Sequence, residues 1–272
     1  MRAYRAAFAA ILMSLIVGGA PALAQDTSRS VAFDGVGLVF EGVLGTSVDI
    51  TQVPGQPTDL QQPSGPEVPH LMFTLYGSQP ETTKVPKASS APGAVRFYRT
   101  ADFAGYDQAS RELEALSRLL GERPELVGSV EFTAGGTGGT LPYLPVMPAA
   151  QVIRAKAHYI DTAELAGVAY ITAFRQDVEP FAADDFWYTF QGLSADGAWY
   201  VAADFVVDAS LFPEKVRAKD AERISDPESY ASYLSQGVAS LEEATPDAFT
   251  PPLASIDALV ESITFEDVPT MG

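Results

Sequence analysis

His70 and His158 are the only imidazoles in a chain of 272 residues that has no cysteine, and this scarcity bounds the available chemistry. Three-histidine metal sites are excluded, as are thiolate zinc sites, thiol proteases and dithiol redox centres. The sequence has no HExxH pair, no GxSxG elbow, no Walker loop and no EF-hand loop. What remains is one basic cluster. Arg154, Lys156 and His158 stand at alternate positions, so on a strand they share one face, with Ile153, Ala155, Ala157 and Tyr159 on the other. With 17 Lys plus Arg against 35 Asp plus Glu, this stripe reverses the sign of the chain locally. It suits a carboxylate or phosphate group, and it equally suits a solvated face balanced by neighbouring acids. His158 also offers a general base for a hydrolase, with Asp204 or another acid orienting it. His70, between Pro69 and Leu71, is expected to begin a strand and hydrogen-bond the adjacent loop.

The elements that must position these groups are legible from 151 to 207. Four antiparallel strands are predicted there: one around Ile153 to Tyr159, then Val168 to Arg175, Phe186 to Leu193 and Trp199 to Val207. Asp196-Gly197 joins the last two as a type I′ turn signal. With that turn, Phe186, Tyr188 and Phe190 face Val207, Phe205 and Ala203. On the other face Thr189 meets Asp204, Gln191 meets Ala202, and Leu193 meets Tyr200. Thr189, Tyr200 and Asp204 thus join the basic trio as ligand-binding candidates. A covered Asp204 would need a partner, for which Arg154 is a candidate.

Elsewhere the patterning calls for short strands at 31–40, 47–53, 71–75 and 94–98. A helix starting near 101 is marked by Tyr106, Ala109, Leu113, Leu116 and Leu120, with Asp102 as N-cap and Gly121 and Pro124 ending it. Asp226-Pro227 opens a helix over about 227–243. Another over about 252–262 leads to a short strand at Thr264-Phe265. A Pro-rich loop spans 54–69 and a Gly/Pro-rich loop spans 133–148. The Gly135–Thr140 run leads into Leu141-Pro142-Tyr143-Leu144-Pro145, which cannot be the helix a phosphate cradle requires. Leu141 to Pro148 has few amide donors to satisfy, so it can pack across the mouth of the sheet as a rigid wall or stand exposed as a ligand-like segment for another protein. The fold class expected is α+β, an antiparallel meander with flanking helices in a single domain over 25–272.

Arg2 and Arg5, the apolar run Ala6–Val17 and Ala22-Leu23-Ala24 read as a signal peptide over 1–24, cut after Ala24. Its removal takes two arginines and no acid, leaving 15 basic against 35 acidic residues and moving the formal charge from -18 to -20. Export to a periplasm or beyond is the expectation. A field of that sign repels phosphate backbones, so nucleic acid is not an expected partner. No membrane span is expected after cleavage, a monomer is expected, and no cofactor or metal is called for.

Pro69-His70, Phe103-Ala104-Gly105-Tyr106, Leu141-Pro142-Tyr143-Leu144-Pro145, Ala149-Ala150-Gln151 and Tyr188-Thr189-Phe190-Gln191-Gly192-Leu193 together resemble a family of exported bacterial proteins that carries no assigned activity. The resemblance extends over most of the mature chain and implies address and domain extent, not catalytic residues. In layout the meander is more loosely similar to the Mog1/PsbP-like α/β/α sandwich, in which the Pro-rich 54–69 arm and Gly-rich 133–140 insert have no counterpart. The leading expectation is a non-enzymatic envelope module binding a protein or small ligand. The alternatives are a hydrolase using His158 and a structural subunit of an envelope complex.

Overall fold

The computed structural model describes residues 28–56, 67–77, 93–130, 141–222 and 224–266. The expected signal peptide, the middle of the Pro-rich loop and the Gly-rich run lie outside these residues. In chain order the elements are β1 (Arg29–Phe33), β2 (Val36–Phe40), β3 (Ser47–Val53), β4 (His70–Tyr76), β5 (Gly93–Arg99), α1 (Asp107–Glu122) and β6 (Ser129–Val130). There follow β7 (Ala150–Asp161), β8 (Leu165–Arg175), β9 (Phe186–Ser194), β10 (Trp199–Ala209), α2 (Ala218–Glu222), α3 (Pro227–Glu243), β11 (Phe249–Thr250), α4 (Leu253–Glu261) and β12 (Thr264–Phe265). The protein is an α+β fold built on antiparallel sheets. Among the described residues no helix is long and apolar enough to cross a membrane.

The main sheet runs β3-β4-β5-β10-β9-β8-β7-β6, with β11 pairing the end of β10. Its two faces follow from the period of two. Ala169, Ile171 and Ala173 of β8 join one apolar cluster with Leu234 and Leu241 of α3, and Ile256 and Val260 of α4. Val168 and Tyr170, at the alternate positions, join a second cluster with Leu116 of α1 and Leu144. Helices and coil therefore cover both faces, and a small sheet, β1-β2-β12, completes the α3/α4 side.

The predicted β9–β10 register is the observed one, with Tyr188 opposite Phe205, Thr189 opposite Asp204 and Leu193 opposite Tyr200. The turn differs. Gly197 has φ +71°, whereas Asp196 is not left-handed, and Gly197 N–H donates to Ser194 O at 2.8 Å. Ala195 and Asp196 are thus the central residues and Gly197 follows in the left-handed region. Ser194 donates to the Asp196 carboxylate at 2.5 Å, and Ala198 N–H donates to it at 2.9 Å. The two-residue turn with both φ values positive occurs at Asp34 (φ +51°) and Gly35 (φ +79°), which split the expected 31–40 strand into the β1–β2 hairpin.

Helix α1 starts later than its apolar spacing suggests. Asp102 lies in a 3-10 turn over Thr100–Phe103, and Gly105 at φ +93° breaks the path before Tyr106, which takes the cap position without a side-chain cap bond. The far end is closed by Arg123 at φ +48°, whose N–H donates to Leu119 O, while Gly121 stays inside the helix. Helix α3 starts as predicted: the Asp226 carboxylate accepts from Glu228 and Ser229 N–H, and Pro227 follows it.

Phe190 is fully buried and lies across two glycines that face each other on β8 and β9. A β-carbon at Gly192 would sit 2.4 Å from the Phe190 ring, and one at Gly167 would sit 2.3 Å from it. Overpacking a closed core costs about 1–3 kcal/mol. Gly192→Ala is expected to lower unfolding stability by that amount in urea titration, and an unchanged midpoint would show that the ring can move aside.

Candidate functional site

The α1 face of the sheet carries a buried chain of polar groups. Arg96 of β5 donates from Nη1 to Asp204 Oδ2 at 2.7 Å, and Thr189 donates to Asp204 Oδ1 at 2.8 Å. The Tyr143 hydroxyl is a further partner of this carboxylate. Burial pushes the Asp204 carboxyl above its ordinary value, against the opposing pull of Arg96 and the two hydroxyls. Gln191 continues the chain. Its Nε2 donates to Thr189 Oγ1 at 2.8 Å and to Leu144 O at 3.2 Å. Its Oε1 accepts from Tyr200 hydroxyl at 2.7 Å and from Leu144 N–H at 2.9 Å.

These bonds hold the proline-rich segment on the sheet. Besides the two bonds to Leu144, the Tyr170 hydroxyl donates to Pro142 O at 2.7 Å, and Tyr143 N–H donates to the Glu112 carboxylate of α1 at 3.1 Å. Tyr143 and Leu144 are buried, and the Tyr143 ring packs on Phe174 at 4.7 Å between centroids. The segment is a packed wall, as its shortage of amide donors predicts.

Beside this wall opens a cavity of about 620 Å³. Glu112 of α1, Tyr143, Gln151 of β7, Phe174 and Arg175 of β8 and Tyr230 of α3 are among the residues around it. Its volume lies within the range of small-molecule sites. Arg175 is held in place, with Nη2 on Asp185 Oδ2 at 2.5 Å and its guanidinium over the Phe181 ring at 4.8 Å.

The six sequence-predicted residues divide between the two faces. Thr189, Tyr200 and Asp204 meet on the α1 face as anticipated, but at 0, 0 and 2 % exposure they hold the wall from within. Arg154 shares that face and is equally buried, donating to Gln151 Oε1 at 3.2 Å and to Ser129 Oγ at 3.0 Å. The partner of Asp204 is Arg96 rather than Arg154.

Lys156 and His158 lie toward α3 and α4, so the basic stripe does not form. The cause is a bulge in β7 between Ala155 and His158, with Lys156 at φ +55°, which breaks the alternation. For the same reason Ile153 and Ala155 join one apolar cluster and Ala157 and Tyr159 the other. Lys156 donates from Nζ to the carbonyls of Glu242 and Ala244 at 2.8 and 2.9 Å, where a cation complements the end of α3.

His158 has Nδ1 2.9 Å from Lys156 O and Nε2 3.1 Å from Asp257 Oδ1. Both neighbours are acceptors, so the ring is suited as a double donor, and the hydrogen bond to Asp257 raises its pKa. The same Asp257 oxygen accepts from the Tyr188 hydroxyl at 2.5 Å. The acid beside His158 is therefore Asp257 of α4, and Asp204 lies across the sheet. His158 is not among the residues lining the 620 Å³ cavity. His70 begins β4 and contacts Val68 O through Nδ1 at 2.9 Å, as expected, while burial lowers its pKa to about 4.

Three residues that partner the candidates, Arg96, Asp257 and Gln191, were not themselves singled out from the sequence although a signal existed. Arg96 is the only charged residue in the apolar run Ala94–Tyr98, and Asp257 is the only one between Leu253 and Val260. Gln191 sits mid-strand on the same face as Thr189. Glu112 carries no such mark, because its role depends on where the 141–148 segment crosses α1.

Removing one member of a buried ion pair strands the other charge. With Arg96 at 18 % side-chain exposure, Asp204→Ala is expected to cost on the order of 3 kcal/mol in urea unfolding. Replacing both, Arg96→Met with Asp204→Val, is expected to cost less. A smaller loss for the single variant than for the double would refute the stranded-charge account.

The two histidines couple stability to pH with opposite signs. His158, raised in the folded state, contributes stability that is full below the ordinary value of 6.5 and fades as pH rises through the folded value. His70, lowered to about 4, contributes stability that is full above 6.5 and is lost as pH falls from there toward 4. His158→Gln should flatten the stability profile on the alkaline side, and His70→Gln should flatten it on the acid side. Variant profiles parallel to wild type in those windows would contradict the assignment.

No family model matches the chain, and no curated protein matches it. The functional reading rests on the geometry of the cavity and its supporting network.

Proposed function

We propose that the chain is an exported, extracytoplasmic binding module that takes a small organic ligand in the cavity beside the Leu141–Met147 wall. The observation that carries this reading is the way the cavity is supported. Pro142, Tyr143 and Leu144 are each fastened to the sheet or to α1 by hydrogen bonds, so one wall is set before any ligand arrives. A pre-formed wall reduces the ordering cost of binding.

Binding is favoured over a His158-dependent hydrolase because both ring nitrogens of His158 face protein acceptors at hydrogen-bond distance. A general base needs a nitrogen directed at the substrate. The amino-terminal pattern supports export.

Protein-observed NMR with a library of small organic fragments tests the reading. Fragments are expected to shift the amides of Gln151, Phe174 and Arg175, and Ala149→Trp, which fills the cavity, should abolish those shifts while leaving the fold intact. A library that perturbs none of these amides in the unmodified protein, or perturbs them equally in Ala149→Trp, would overturn the proposal.

A further inference from the structure

We infer that the cavity selects an organic cation, an amine or guanidinium carried on an apolar body, over neutral and anionic molecules of the same shape. This rests on the binding role proposed above and adds the chemical class of the ligand.

The charged groups around the cavity are Glu112, Arg175 and Asp177. Arg175 is already charge-paired, since its Nη2 lies 2.5 Å from Asp185 and its Nη1 donates to Phe174 O at 3.1 Å, and only its buried Nε lacks a hydrogen-bond partner. The two carboxylates of the lining have no such cationic partner among the lining residues. Glu112 is half-buried and accepts a bond from Tyr143 N–H, but a backbone amide brings no net charge. Burial raises its pKa, with the Tyr143 amide and then the neighbouring Arg111 pulling only partly the other way. An arriving cation would supply the missing opposite charge in a partly shielded space where Coulomb forces are stronger than in water. An anion would meet both carboxylates and the field of a chain with net charge -18.

The remaining lining favours an organic ion over a bare metal ion. Tyr143, Phe174 and Tyr230 are among the lining residues, and aromatic side chains suit an apolar body and attract cations through the ring quadrupole. Among the described residues no three imidazole or carboxylate groups converge as a metal would need. The volume of about 620 Å³ exceeds what a single ion requires.

Three isosteres separate the possibilities: 2-phenylethylamine, 2-phenylethanol and phenylacetate, each titrated into the full mature chain by NMR at pH 7. The amine is expected to shift the Gln151, Phe174 and Arg175 amides with a Kd about tenfold or more below that of the alcohol, and phenylacetate to bind weakest. Glu112→Gln keeps an acceptor for Tyr143 N–H and should erase most of the amine-over-alcohol affinity ratio. Asp177→Asn, at an exposed position, provides a second variant that should weaken the amine selectively.

Alcohol or carboxylate binding in the cavity as tightly as the amine would overturn the cation inference and leave the binding role standing. Amine binding at the cavity that neither Glu112→Gln nor Asp177→Asn weakens would likewise overturn it. If none of the three, and no fragment of the wider library, reaches the cavity, the binding role falls and the ligand class with it.

Discussion

The buried contact between Arg96 and Asp204 sets the terms for the whole α1 side of the molecule. A carboxylate at 2 % exposure in the middle of a central strand must find donors or forfeit its hydration without return. It finds one guanidinium and two hydroxyls, and the two hydroxyls are themselves fixed by another bond or by packing. Thr189 accepts from Gln191, Gln191 clasps Leu144 by both its amide atoms, and the Tyr143 ring rests on Phe174. The proline-rich wall is thereby coupled to the sheet through groups that cannot be removed singly. The cavity exists because that wall stands where it does.

The opposite face is fastened by a different device. There the bulge in β7 turns Lys156 and His158 toward the helices, where the lysine meets the carbonyl end of α3 and the imidazole meets Asp257 of α4. A regular strand would have left these side chains alternating with the apolar residues of one continuous face. The extra residue exchanges that regularity for two tethers between sheet and helices, with Tyr188 drawn into the second. Lys156 and His158, which look like part of a binding stripe in one dimension, are, in three, the links that hold two helices to the sheet.

Much of the framework was legible because local chemistry and burial agree. The β9–β10 register follows from aromatic alternation, since a slip by one residue would move Phe186, Tyr188 and Phe190 out of the core. Helix α3 follows from Asp226-Pro227 and its apolar spacing. The turns were less legible. Asp-Gly occurs at 34–35 and at 196–197, and only the first forms the two-residue turn with both φ values positive. At the second, Ser194 offers the Asp196 carboxylate an alternative bond and the loop closes around it.

By itself the sequence determined the absence of thiol chemistry, the strong negative charge, the α+β class and the meeting of Thr189 with Asp204, because composition depends only on which residues are present and period-two alternation only on their order. The tertiary structure decided which partner Asp204 takes, which side of the sheet Lys156 and His158 reach, and where a cavity opens. Arg96 arrives opposite Ala202 from 108 residues away from Asp204, and Asp257 reaches His158 across 99 residues. Such pairings depend on strand order and on one irregular residue in β7. Neither leaves a periodic mark in the chain.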